Sequence, residues 1–175
     1  MLKINKLKAL VLAGCLTTVC AQADVGTGTI KVIAIGAMTF TEDTEVHFGE
    51  VPVDIGSNCV MDNAGAVTGD CTNVTGNQTS GQITVSGVLE TSNVVITITG
   101  DSDGTGIDFA ASADIEMDSA SGGAEAALTN GTVSGALTVT SDDIVATVYG
   151  TLSVAETLTA GTEYSTNYTL DVTYN

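Results

Sequence analysis

The chain has 175 residues, with 21 Asp and Glu against four Lys and no Arg, one His and no Trp. A net charge of −17 excludes nucleic acid and anionic membrane surfaces as partners, because both require basic patches. The length suits one domain with a real core, and the acids are diluted among Thr, Ser, Gly and Val rather than massed in a disordered tail.

The first 23 residues read as an export signal. Lys3, Lys6 and Lys8 precede the short apolar run "ALVLAGCLTTVC", and Ala21-Gln22-Ala23 fits small-x-small cleavage before Asp24. The run is too short for a membrane span. "LAGC" at 12–15 is a competing lipobox with Cys15 as the lipidated residue, but the chain stays apolar through Val19 and Cys20, where a polar tether is usual. Either route exports the protein, with a single domain expected over 24–175. Beyond residue 23, Lys31 is the sole Lys or Arg, facing all 21 carboxylates.

Hydrophobic periodicity is two almost everywhere. "TIKVIAIGAMTF" (29–40) is apolar at nearly every position from Val32 to Met38, which suits a strand covered on both faces or one inserted into a partner's groove through Ile30, Val32, Ala34 and Met38. A short strand is expected over Glu45–Val51. Region 52–81 is rich in Gly, Asn, Thr and Asp, and reads as a long loop stapled by Cys59 and Cys71. An exported protein permits that disulfide, and two thiols without a nearby His fall short of a zinc site. Strands follow over Ile83–Ser86 and Val94–Thr99. Ile107 to Met117 alternates apolar residues with Asp108, Asp114 and Glu116, giving one dry and one acidic face. "GGAEAAL" (122–128) holds one helical turn at most, and Asn130-Gly131 suits a tight hairpin. Val133, Gly135, Leu137 and Val139 alternate, "SDD" (141–143) turns, and Ile144 to Val154 alternate again. The chain closes on "EYSTNYTLDVTYN", in which Tyr164, Tyr168, Leu170, Val172 and Tyr174 predict a core strand. Short strands separated by Gly, Ser, Asn and Asp turns predict an all-β, immunoglobulin-like antiparallel β-sandwich of about 7–10 strands.

Chemistry-bearing patterns are sparse. "DSDGTGID" (101–108) could offer Asp101, Asp103 and Asp108 to calcium around glycine-permitted turns. It departs from the EF-hand, with Thr105 at the third ligand place and Ser112 where the closing Glu belongs. A paired-acid glycosidase would need aromatic platforms, and the chain has only seven Phe and Tyr. His47 lies in a strand context, and no serine has nucleophile-elbow glycines. No catalytic residues are expected. Asn73, Asn77, Asn130 and Asn167 stand in Asn-x-Thr triplets, read as turn or surface positions, and Lys31 alone is thin ground for an isopeptide cross-link.

Thr29–Phe40, Val46–Val51 with Phe48-Gly49, and Gly150–Asn175 together resemble the exported bacterial proteins grouped as domain of unknown function 4402. That resemblance implies a fimbria-like surface or filament role and no known catalytic residues. The ends are also similar to chaperone–usher pilins, in which a penultimate Tyr and an upstream Gly mark the last strand; Tyr174 and Gly161 occupy such places. This implies an assembly role for Tyr174. The expected function is therefore a non-enzymatic structural or adhesive subunit at the cell surface, reached through the periplasm of a two-membrane bacterium. Its expected partners are other copies, fimbrial subunits and a periplasmic chaperone, with no cofactor unless calcium binds. The alternative is a stand-alone secreted or periplasmic module for calcium or a glycan.

Overall fold

The computed structural model describes residues 36–71, 77–102, 106–117 and 125–175, all in one compact unit. It contains ten strands and, among the described residues, no helix. They are β1 Thr39–Thr44, β2 Asn58–Met61, β3 Val67–Gly69, β4 Gly81–Ser86, β5 Asn93–Gly100, β6 Ile107–Glu116, β7 Ala126–Thr129, β8 Leu137–Thr138, β9 Asp143–Val154 and β10 Tyr168–Tyr174.

Every pairing is antiparallel, and the strands form two sheets. The larger has seven strands built around β9. One side of β9 pairs with β6 along ten residues, from Ile107↔Val154 to Glu116↔Val145. Its other side is shared, with β4 on Asp143–Val148 and β2 on Gly150–Ser153. β1 continues outward from β4, β3 from β2 and β7 from β6. Among the described residues the smaller sheet has three strands, in the order β10-β5-β8.

The period-two pattern sorts these residues between core and solvent. Ile107, Phe109, Ala111, Ala113, Ile115 and Met117 are buried, as are Ile144, Ala146, Val148, Leu152 and Val154 on the adjacent strand β9. Val94, Ile96, Ile98 and Val172 from the smaller sheet close the core from the other side. Each fully buried large side chain stabilises the fold by about 1.5–3 kcal/mol. Two glycines let backbones meet where a side chain would not fit. A Cβ on Gly150 (φ +150°) would run into the Ala110 carbonyl oxygen, and one on Gly100 into the Phe109 carbonyl oxygen where the two sheets approach.

Several local expectations change in the structure. Glu45–Val51 forms no strand; His47 makes only an isolated bridge to Thr79. Region 52–81 is not plain loop, because β2 and β3 form a hairpin within it. The Asn130-Gly131 turn does not return β7 onto itself. It sends the chain to the other sheet, where Val133 bridges Thr97 and Ser134 N–H donates to the Ile96 carbonyl. Of the Val133–Val139 alternation only Leu137–Thr138 remains strand. The "GGAEAAL" stretch lies partly outside the described residues, and its end enters β7 rather than a helical turn.

Candidate functional site

The two sheets differ in width, and their mismatch builds a groove. β1 is the outer strand of the large sheet beyond β4, and β10 ends the small sheet. Register puts Phe40 opposite Val85 and Glu42 opposite Ile83, so both share the inward face of β4. Val85 is fully buried, yet Phe40 on the same face remains 47% exposed. Among the described residues the small sheet stops at β10 and leaves it uncovered. On β10 the inward set is Tyr168, Leu170, Val172 and Tyr174, paired with Gly100, Ile98, Ile96 and Val94.

Tyr168 bridges the gap. Its hydroxyl donates to Glu42 Oε1 at 3.0 Å. Its ring meets Phe109 edge-on at 6.2 Å between centroids, and Phe109 meets Phe48 in the same way at 5.9 Å. The resulting groove encloses about 920 Å³ and continues between the 45–53 and 158–168 segments. Its floor is apolar, with Ile83, Ile107, Phe109 and Leu152, while Glu42, Glu45, Glu50 and Glu163 line its mouth. Among the described residues no Lys or Arg lines it. Burial, and then the hydrogen bond and charge of Glu42, push the Tyr168 phenol well above its ordinary range.

The sequence-predicted residues take varied places. Cys59 and Cys71 are bonded, with Cα atoms 5.2 Å apart and both side chains buried. Asp101 is exposed at the end of β5; its N–H donates to the Asn167 carbonyl and its own carbonyl accepts from Phe109 N–H. Asp108 is half-buried in β6 opposite Ser153, and Asp103 lies outside the described residues. Among the described residues no group of three or more His, Cys, Asp or Glu is placed to hold a metal ion. Ile30, Val32 and Ala34 lie outside the described residues, while Met38 is half-buried against the core just before β1. Tyr174 is half-buried on the inward face of β10, and its hydroxyl oxygen accepts from Leu89 N–H at 2.9 Å. Tyr164 does not share that strand; it sits in the preceding segment, where its hydroxyl oxygen accepts from Thr159 N–H. Gly161 lies in the same segment at φ +77°, seven residues ahead of β10.

Other carboxylates serve local structure. Asp62 Oδ1 accepts from the N–H groups of Ala64 and Ala66, and Asp70 Oδ2 from Asn58 N–H. Asp114 joins the β2–β3 turn to β9, accepting from Asn63 Nδ2 at 2.7 Å and from Tyr149 O–H at 2.9 Å. Sequence reading passed over Phe40, Glu42, Phe109 and Tyr168 as a group. The available signal was Glu42 itself, a charge at an inward position two residues after Phe40, which is a device of strand edges.

Comparison of the chain with protein-family models, with curated proteins and with solved structures returns no match. The resemblance to the domain of unknown function 4402 proteins therefore rests on Thr29–Phe40, Val46–Val51 and Gly150–Asn175 alone, and that to pilins on Tyr174 and Gly161.

Proposed function

We propose that the protein is a non-enzymatic, exported structural or adhesive subunit of fimbria-like type that assembles by β-strand addition. The observation that supports this most is that, among the described residues, no strand covers β10: a three-stranded sheet faces a wider one, with Phe40 half-exposed on an inward face. A strand added at the free side of β10 would continue the ladder and bury that strip. Such addition supplies backbone hydrogen bonds for affinity and side-chain pockets for selectivity. The acidic, cation-poor surface keeps free subunits soluble until they pair.

The test is the size of the exported protein. Assembly predicts ladders resistant to SDS, abolished by removing residues 24–35 while the remaining chain stays folded. The deletion must stop short of Thr39, because Thr39 and Phe40 belong to β1. A monodisperse monomer with residues 24–35 intact would contradict the proposal and favour a stand-alone module whose groove takes a soluble ligand.

A further inference from the structure

The groove collects most of the chain's aromatic rings. All three Phe and two of the four Tyr line it: Phe40, Phe48, Phe109, Tyr164 and Tyr168. In a chain without Trp, that concentration marks it as a place to hold a ligand by aromatic contact. Its volume of about 920 Å³ falls in the range of small-molecule sites. The charges gathered there are of one sign. Glu42 Oε1 accepts from the Tyr168 hydroxyl, and Glu45 lies near enough for its charge to act on the same phenol. Two carboxylates thus converge beside one ring, and Glu163 joins them from the 158–168 wall. The described residues contain no Lys or Arg to answer them. His47 also lines the groove, but its Nδ1 accepts from Gly49 N–H, so the ring adds no charge in that bond.

These features select among ligands. A bare metal ion is poorly served, because among the described residues no three His, Cys, Asp or Glu are grouped to hold one. An anion is repelled by the carboxylates. A neutral sugar could stack on the rings, but it would cover Glu42 and Glu45 without supplying a counter-charge, and a charge buried alone is expensive. An ammonium bearing apolar groups meets both demands. The carboxylates neutralise it, aromatic faces attract it, and its hydrocarbon covers the apolar floor. The Tyr168 phenol donates to Glu42, which makes its ring more electron-rich and strengthens that attraction.

We propose that the groove binds a small apolar organic cation, an alkylated ammonium, with its charged head between Glu42, Glu45 and Tyr168 and its hydrocarbon body over Phe109 and Leu152. This goes beyond strand addition and does not depend on it. Of β10 only Tyr168 lines the cavity, so the free side of Thr169–Tyr174 stays open to a pairing strand while the groove is filled.

Isothermal titration of the exported protein with benzyltrimethylammonium tests the site, with benzyl alcohol as a neutral ligand of similar body, phenylacetate as an anion and maltose as a sugar. The expected result is one saturable site for the ammonium, about tenfold or more tighter than for benzyl alcohol and weakening as salt rises, with no binding of phenylacetate or maltose. Glu42→Gln/Glu45→Gln should bring the ammonium down to the affinity of benzyl alcohol while the circular dichroism spectrum stays that of the parent. Tyr168→Leu, which keeps an apolar side chain but no ring, should lose about tenfold, and Tyr168→Phe much less. Glu90→Gln/Asp143→Asn removes two carboxylates that do not line the groove and should change nothing. Equal affinity for benzyl alcohol, binding of maltose, or an equal loss in Glu90→Gln/Asp143→Asn would each overturn the proposal, as would no heat of binding at millimolar ammonium. Binding that appears only in Lys31→Met would mean that the chain's own lysine holds the place, and would overturn it too. None of these outcomes decides strand addition, which the SDS-resistant ladders read separately.

Discussion

Removing the Cys59–Cys71 bridge should cost about 3 kcal/mol. The two residues are 12 apart in sequence, and the chain-entropy relation gives about 3 kcal/mol for closing a loop of that size in the unfolded chain. Both side chains are buried in the core, so replacement by Ser would add the separate cost of burying hydroxyls. Cys59→Ala/Cys71→Ala is the cleaner perturbation. In a domain of this size 1 kcal/mol moves the melting temperature by about 2–4 °C, so the double variant should melt roughly 6–12 °C lower. Urea and thermal unfolding followed by circular dichroism give both numbers. A second consequence follows from burial: reductant should leave the folded protein oxidised until it unfolds. A loss below about 1 kcal/mol would refute the reasoning, because it would mean that the β2–β3 hairpin already restrains the unfolded chain.

Other sites give sharper structural tests. Gly150→Ala should destabilise by about 2–4 kcal/mol, measured by urea midpoint, because the new Cβ meets the Ala110 carbonyl oxygen at a φ that L residues avoid. Phe109→Ala should cost about 3–5 kcal/mol in the same assay and weaken assembly, since it removes the ring between Phe48 and Tyr168. Burial, with the hydrogen bond and charge of Asp114, pushes the Tyr149 phenol up to about 12, above its ordinary value near 10. The stability held by the neutral phenol is therefore complete below about pH 10 and lost as pH rises through about 12. Tyr168 shifts the same way, from burial and then Glu42. Denaturation series at alkaline pH should show this loss, and Tyr149→Phe should reduce it; phenolate absorbance appearing at ordinary pH for both tyrosines would contradict it.

Much of the sandwich is legible as alternation. Ile107–Met117 and Ile144–Val154 each bury every second residue, because each packs one face on the core and shows the other to water. The Cys59–Cys71 pairing follows from there being no other cysteine beyond residue 23. What local pattern could not reveal is where a turn sends the chain. Asn130-Gly131 has the chemistry of a hairpin, but whether the next strand pairs in the same sheet or the facing one depends on long-range contacts with β5. Val46 and Phe48 read as strand because they are apolar at alternate positions. They are instead held by side-chain packing, Phe48 on Phe109, with one backbone bridge at His47. The groove was hidden for a similar reason. It arises from the relative widths of two sheets, and only the inward parity of Glu42 betrays it in sequence.

Hydrogen–deuterium exchange on assembled protein and on the monomer lacking residues 24–35 tests strand addition most directly. The account predicts that assembly slows exchange of backbone amides in Tyr168–Tyr174, at alternate residues whose N–H groups face away from β5, with a smaller gain across Thr39–Thr44 as the groove closes. Unchanged exchange throughout Tyr168–Tyr174, with protection gained on another face of the sandwich, would contradict it.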